Sequence, residues 1–281
     1  MYYSMSGISW LTGISVLILI GVNTSRSPWH AGISLFRQLI KSRHLLWLPL
    51  LTAGVLLLNR YELLLENQFP YNMDFTPWIL SIEGHFVASF QSLFHAPAVT
   101  QVAAFFYLVV FQALILASLG IYASDDRLPL LYATCCTVIL NYVVALPFYL
   151  LFPVNEVWSY SPSGASFYML EVFPDFEKVY RPLSGLDNCF PSLHTSVSVS
   201  MAILAMRSGN RRWGLMASCC SAIILFSIFY LGIHWVTDMI GGVVLAVSAS
   251  TIGLAWGKRM ANSSPPGSLK PNQDIRKTAT P

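Results

Sequence analysis

Seven apolar stretches, separated by polar loops, constrain this chain more than any other feature of its sequence. They run over about 5–22, 45–59, 99–122, 129–152, 191–207, 214–233 and 238–256. A helix that spans a bilayer needs about 20 mostly apolar residues. Backbone amides in hydrocarbon must be paired within a helix or a closed barrel, and no stretch here alternates as a barrel strand does. We therefore predict an all-α, polytopic membrane bundle of about seven spans.

The composition fits this class, because 55% of the 281 residues are hydrophobic and only 10% are charged. Soluble domains carry about 25% charged residues. The length suits one helical bundle rather than several domains. We divide it into N-terminal spans with their loops (1–98), a core of five spans (99–260) and a polar, proline-containing tail (261–281). The tail is predicted to be disordered, since it has too few apolar residues to bury a core.

The placement of basic residues predicts an orientation. With seven spans, thirteen of the sixteen lysines and arginines fall on one side of the membrane, and only Arg60, Lys178 and Arg181 fall on the other. Cytoplasmic loops carry the basic excess. The N-terminus is therefore predicted outside and the C-terminus in the cytoplasm, in a plasma or inner membrane. Because the basic residues lie where topology alone would put them, no nucleic-acid partner is predicted.

The outer loop at 60–98 contains a further helix signal. Thr76-Pro77 has the pattern of an N-cap followed by proline at the first helical position. Apolar residues at helical spacing follow it. We predict an amphipathic helix that lies along the outer membrane surface.

Two histidines are predicted to meet at the outer surface. His194 stands near the start of the fifth span, and the sixth span returns outward and ends at His234. Asp238 follows His234 by four residues, which places both on one face if the helix has already begun at His234. Arg181 and Lys178 lie in the outer loop that precedes the fifth span. Helix count alone therefore predicts that these groups converge.

Each of these residue types suits phosphoryl chemistry. Arginine can bind two phosphate oxygens with its planar fork, and Ser192 with the free amides at a helix start resembles an anion site. Histidine can attack phosphorus or transfer a proton near neutral pH. Each residue also has a simpler interpretation: Asp238 as a capping acid, Arg181 as a cation that reaches lipid headgroups, and Lys178 as the partner of a neighbouring acid.

At these residues the chain resembles the type 2 phosphatidic-acid phosphatase superfamily of membrane lipid phosphatases and phosphotransferases. Arg181-Pro182 matches the end of its first motif and Pro191-Ser192-Leu193-His194 its second. Ser227, His234 and Asp238 match its third. Three features depart from the pattern: Lys178 lies three residues before Arg181 rather than seven, Leu193 replaces a glycine, and Ile228 replaces an arginine. The last two departures are similar to the branch that contains fungal inositol phosphorylceramide synthase.

The resemblance implies an enzyme that cleaves a lipid phosphate or diphosphate ester at the extracytoplasmic face. It implies that His234 attacks phosphorus, that Asp238 orients its ring and that His194 transfers the proton. Arg181, Ser192 and Lys178 are the implied phosphate-binding residues, with no metal or other cofactor. Water and an alcohol stay open as acceptors, the latter giving a transferase that moves a phosphorylated headgroup between lipids. A proton-coupled transporter is a lesser alternative; the sequence does not indicate an oligomeric state.

Overall fold

Helices form nearly all of the regular structure of the residues that the structure describes. The computed structural model describes residues 2–41, 45–48, 50–55, 57 and 74–263. Within these ranges no strand is present; two loop segments meet only at an isolated parallel bridge between Val154 and Asn188. The predicted all-α class is confirmed.

The longer helices of the described residues are labelled in chain order. They are α1 (Met5–Asn23), α2 (Pro28–Lys41), α3 (Thr76–Glu83), α4 (Phe86–Phe94), α5 (Pro97–Ser124), α6 (Leu128–Leu151), α7 (Leu193–Met206), α8 (Arg211–Tyr230) and α9 (Val236–Ser263). The described residues between 45 and 55 are also helical. Five short helical turns lie between α6 and α7: Val157–Ser159, Ser161–Ser163, Tyr168–Glu171, Phe176–Val179 and Arg181–Ser184.

Five of these helices are long and apolar enough to cross a membrane: α1, α5, α6, α8 and α9. Each lies where an apolar stretch predicted a span. The helix α7 has 14 residues and rises about 21 Å, less than the roughly 30 Å of a hydrocarbon core. The second predicted span, 45–59, extends beyond the described residues, as does most of the predicted tail. Five apolar helices of this length indicate an integral membrane protein.

Local sequence explains several helix starts. Ser192 caps α7 by accepting a hydrogen bond from the amide of Thr195, and Asn210 caps α8 in the same way. The outer-loop helix α3 differs from its prediction, because Thr76 is its first residue and not its cap. Asp74 accepts the hydrogen bond from the amide of Thr76. The hydroxyl of Thr76 instead accepts from the amide of Asn155, and so ties α3 to the loop after α6.

The helix α9 packs along α6 and beside α7. Small residues make this close approach possible: a Cβ placed on Gly253 would lie 2.1 Å from the hydroxyl oxygen of Thr137. The face of α9 that does not contact α6 and α7 exposes large apolar side chains, namely Ile240, Val244, Val247, Ile252 and Trp256. A helix with one face on the bundle and an apolar face exposed suits a lipid-facing position. The starts of α7 and α9 lie side by side as a result.

Candidate functional site

His234 and Asp238 form a buried pair at the start of α9. The chain leaves α8 through Gly232, whose φ of +78° favours glycine, and His234 follows two residues later. The Nδ1 atom of His234 lies 3.3 Å from Oδ2 of Asp238. The same oxygen accepts a hydrogen bond of 2.8 Å from the amide of Trp235. A carboxylate held in this way fixes the tautomer of the imidazole and leaves Nε2 available for chemistry.

A carboxylate from another helix holds the start of α9. The two carboxylate oxygens of Glu83, the last residue of α3, accept hydrogen bonds from the amides of Val236 (2.7 Å) and Thr237 (2.6 Å). An anion at a helix N-terminus is stabilised by the unpaired amides and the helix dipole. Glu83 is 153 residues from its partner, and no local motif marks it. The sequence does not identify Glu83 as a partner of α9; the structure shows it through these two hydrogen bonds.

His194 faces this pair from the first turn of α7. Its ring stacks on Tyr107 (3.9 Å between centroids) and contacts Phe111 (4.4 Å). Tyr107 lies within a π-helical turn of α5, Phe106–Val110, a distortion that is frequent at functional sites. The His194 and His234 ring centroids are 6.1 Å apart. The predicted meeting of the two histidines is therefore seen in the structure.

Two polar atoms of this group have no hydrogen-bond partner among the described residues. They are Nε2 of His194 and Oδ1 of Asp238, and both are buried. Buried polar atoms are paired in the great majority of cases, so an exception calls for an explanation. Both atoms belong to residues for which the sequence predicts a role in catalysis.

Close packing fixes the two helix starts against each other. A Cβ placed on Gly242 would lie 2.7 Å from the carbonyl oxygen of Ser192 and 2.8 Å from Cβ of Thr195. The amide of Ser192 donates to the carbonyl oxygen of Asp238 (3.1 Å). Ser192 itself is fully buried, and its hydroxyl is used as the cap of α7. The serine is therefore placed to order the start of α7, the helical turn that carries His194.

Both histidines line one cavity of about 140 Å³. Its wall is polar and aromatic, and the described residues contribute one carboxylate to it, that of Glu156. Tyrosines and apolar side chains of α5, α6 and the loop between α6 and α7 complete it. The tyrosines are Tyr107, Tyr142, Tyr149 and Tyr180. No lysine or arginine lines this cavity in the part of the chain that the structure describes.

Arg181 lies behind Glu156 rather than on the cavity wall. Its Nη1 and Nη2 atoms donate to the two carboxylate oxygens of Glu156 at 2.7 and 2.8 Å. Its Nε and Nη2 atoms donate to Glu177, and Nη1 also donates to the carbonyl oxygen of Gly185. Burial lowers the pKa of Arg181, but hydrogen bonds and charge from the two carboxylates outweigh this and raise it. All five N–H groups are thus engaged.

Lys178 is not brought to the cavity. Its side chain is 83% exposed, and Nζ lies 3.8 Å from a carboxylate oxygen of Asp175. This matches the simpler interpretation, a lysine paired with a neighbouring acid. At the position of the third-motif arginine, Ile228 is fully buried. Ser227 donates its hydroxyl to the carbonyl oxygen of Ile223, so neither residue contributes a cation or a donor to the cavity.

Cys189, His234 and Asp238 are the described residues whose donor atoms are close enough to hold a metal ion, within 4.8 Å of one another. Sulfur, nitrogen and oxygen donors of this kind suit zinc. The thiolate is the ligand form of cysteine, however, and burial, followed by the charge of Asp238, raises the pKa of Cys189 well above its usual value. The thiol contacts the carbonyl oxygen of Ile233. A protonated thiol with this contact, beside an Asp238 that contacts His234 and the amide of Trp235, does not favour a metal ion.

Fold and site together define a helical membrane protein with two facing histidines at one end of its bundle. A family model described as the PAP2 superfamily matches residues 79–252. The chain belongs to the PAP2 superfamily. It is 35% identical over 79 residues to the Escherichia coli (strain K12) protein named "Putative undecaprenyl-diphosphatase YbjG". That match covers 26% of this chain and 39% of the relative, and no solved structure matches the chain.

Proposed function

We propose that this protein is a membrane lipid phosphatase that cleaves a lipid phosphate or diphosphate ester through a phosphohistidine intermediate. Membership of the PAP2 superfamily and the partial match to a protein named as a diphosphatase support lipid phosphatase activity in general. The observation that carries the mechanism is the buried His234–Asp238 pair, which faces His194 at 6.1 Å across one cavity.

The separation of the rings suits one phosphorus atom between them. An attacking atom approaches to about 3–3.5 Å, and a proton donor works at about 2.6–3.2 Å from the leaving oxygen. His234 attacks phosphorus and forms the P–N bond as the P–O bond breaks. His194 gives its proton to the leaving oxygen and then takes one from water. Asp238 orients the His234 ring and stabilises its positive charge.

Phosphate binding is proposed for the start of α7 and for Arg181. The first-turn amides at Leu193 and His194 precede the hydrogen-bond ladder of the helix, and Ser192 fixes their direction. Arg181 joins them only if a phosphate replaces part of its contact with Glu156, because all its N–H groups are already engaged. Lys178, exposed and paired with Asp175, contributes at most to the surface charge.

A second cavity supports a lipid as the substrate. It has a volume of about 500 Å³ and is mostly apolar. Residues of α5 and α6 line it, and it shares Phe111, Tyr142 and Tyr180 with the histidine cavity. A hydrocarbon chain in this second cavity would bring its phosphate to the histidines.

The proposed topology has seven spans, with the N-terminus outside, the C-terminus in the cytoplasm and the catalytic cavity at the outer face of a plasma or inner membrane. It adds the shorter apolar helices at 45–55 and α7 to the five long ones. The distribution of basic residues supports this orientation. In this arrangement 1–98 forms the N-terminal part and 99–260 the catalytic core.

The test is hydrolysis of lipid phosphates by purified protein. His234→Ala and Asp238→Asn are expected to abolish or strongly reduce phosphate release. Quenching the wild type in alkali, where the acid-labile P–N bond survives, is expected to trap phosphate on His234. His95→Ala is the matched control, since His95 is partly exposed and pairs with Glu171 at 2.9 Å. Parental rates in His234→Ala would refute the mechanism, and so would an equal loss in His95→Ala.

A phosphotransferase is the second candidate. The buried Ile228 in the place of an arginine favours it, because that departure is similar to the transferase branch. Incubation of labelled lipid phosphate with and without inositol or a lipid alcohol discriminates between the two. A new phosphorylated product supports transfer, whereas free phosphate alone refutes it.

A further inference from the structure

Glu156 presents a negative charge to the cavity in which the proposed reaction takes place. Its side chain is 8% exposed, and it lines the cavity together with both histidines. Burial raises the pKa of this carboxyl group, while its hydrogen bonds and charge contact with Arg181 oppose the rise. The carboxylate thus stands between the guanidinium and the space that a substrate would enter.

The charges around Glu156 do not cancel. Arg181 carries one positive charge, and Glu156 and Glu177 each carry one negative charge. The three groups together are therefore negative by one unit. Because the described lining of the cavity has no lysine or arginine, each further negative charge on a headgroup is repelled there. The repulsion between unit charges is strong where water is excluded.

We propose that Glu156 is a specificity-determining residue that favours a phosphodiester headgroup, with one negative charge, over a phosphomonoester with two. This inference rests on the proposed lipid phosphatase function. In a phosphodiester the P–N bond to His234 forms as one P–O bond breaks, and His194 protonates the leaving oxygen. When water or an alcohol then attacks phosphorus, the P–N bond breaks and the other ester bond stays intact in the product.

Glu177 supplies the matched control. Both carboxylates bind Arg181, at 2.7 Å for Glu156 and 2.9 Å for Glu177. Only Glu156 lines the cavity, and Glu177 is 39% exposed. Removing either charge weakens the hold on Arg181 and makes the three groups neutral together. Only the loss of Glu156, however, removes a charge from the cavity wall itself, because Glu177 lies outside it and is screened by water. A role in holding Arg181 alone would affect all substrates alike.

The experiment compares two lipids with the same diacylglycerol: phosphatidic acid, a monoester, and phosphatidylmethanol, a diester. Release of diacylglycerol gives kcat/KM for each with purified full-length protein at pH 8. Glu156→Gln is expected to shift the ratio of the two constants towards phosphatidic acid by about tenfold. Glu177→Gln is expected to leave that ratio within about twofold. Equal changes for both lipids in Glu156→Gln would overturn the proposal.

If neither lipid is cleaved, these two lipids are not substrates. Charge selection by Glu156 is then tested by a binding measurement. Thermal unfolding is followed with inorganic phosphate or dimethyl phosphate added at pH 8. The wild type is expected to be stabilised more by dimethyl phosphate, and Glu156→Gln to gain stabilisation by inorganic phosphate. The same response in both proteins would refute charge selection by Glu156. The melting temperature without ligand shows whether each variant folds.

Discussion

Removal of the Glu83 carboxylate is expected to uncouple the start of α9 from α3 and to slow catalysis. The two oxygens of Glu83 accept from the amides of Val236 and Thr237 at 2.7 and 2.6 Å. A hydrogen bond to a charged group contributes about 1.5–3 kcal/mol. Glu83→Ala leaves both amides without this partner, so the expected loss of unfolding free energy is about 3–6 kcal/mol. Glu83→Gln keeps one acceptor and is expected to lose about half as much.

The effect on catalysis arises from the residues that α9 carries. Asp238 lies one residue beyond the capped amides, and its carboxylate orients His234 at 3.3 Å. A displacement of about 1 Å at a reacting group can lower a rate by about 100-fold. Glu83→Ala is therefore expected to lower kcat by ten- to a hundredfold while KM changes little, because Glu83 does not line the histidine cavity.

The assay combines thermal unfolding in detergent with kcat and KM for a lipid phosphate. A loss of about 3 kcal/mol corresponds to a fall of roughly 6–12 °C in a protein of this size. Glu171→Ala is the control, because Glu171 binds the side chains of His95 and Thr100 without contacting α9. If Glu83→Ala lowers kcat no more than Glu171→Ala does, the loss reflects general destabilisation and the capping argument is wrong.

Three further predictions concern the same site. Gly242→Ala should destabilise the protein by about 1–3 kcal/mol, because the new Cβ would lie 2.7 Å from the carbonyl oxygen of Ser192. Gly13→Ala should not destabilise it, since a Cβ there would have no neighbouring atom within 4 Å. Comparing the melting temperatures of the two variants tests this prediction. His194→Gln should lower kcat by about 10²–10⁴-fold for a lipid phosphate. The loss should be far smaller for a p-nitrophenyl ester, because its leaving group needs no proton. Equal losses of kcat for both substrates would contradict the role of His194 as an acid. Chelator treatment and Cys189→Ser should each leave kcat within about threefold of the untreated wild type, since the raised pKa of the Cys189 thiol opposes metal binding. A loss of activity on chelation that added metal restores would refute this prediction.

The helices were predictable because hydropathy reports them directly. The stretches expected at 129–152 and 214–233 correspond to Leu128–Leu151 and Arg211–Tyr230. The meeting of His194 with His234 was also predictable, since consecutive helices α7, α8 and α9 return the chain to the same end of the bundle. The spacing of His234 and Asp238 indicated their contact, although α9 begins only at Val236 and the carboxylate of Asp238 reaches back to His234 from the first helical turn. These results depend on periodicity and order along the chain, which a single sequence contains.

The carboxylates around the site could not be predicted in the same way. Glu156 is 25 residues from Arg181 and Glu83 is 153 residues from Val236, and each is an isolated acid in an irregular or short-helical segment. Nothing in a loop sequence distinguishes an acid that reaches a distant helix start from one that faces water. Lys178 is the opposite case. Its place near the first motif suggests a phosphate-binding cation, but in the structure it pairs with the neighbouring Asp175.

These carboxylates change which part of the site can attract a phosphate. Glu83 accepts hydrogen bonds from amides at the start of α9, Glu156 and Glu177 form ion pairs with Arg181, and Asp238 contacts His234. Among the described residues, no carboxylate accepts a hydrogen bond from the first turn of α7, where Ser192 is the cap. That turn also carries His194, whose Nε2 atom is buried without a partner among those residues. The phosphate of a substrate is therefore expected to be held first by the amides of α7. A headgroup that carries little charge can bind there without Arg181, and we expect it to enter more readily than a highly charged headgroup that must displace Glu156 from Arg181.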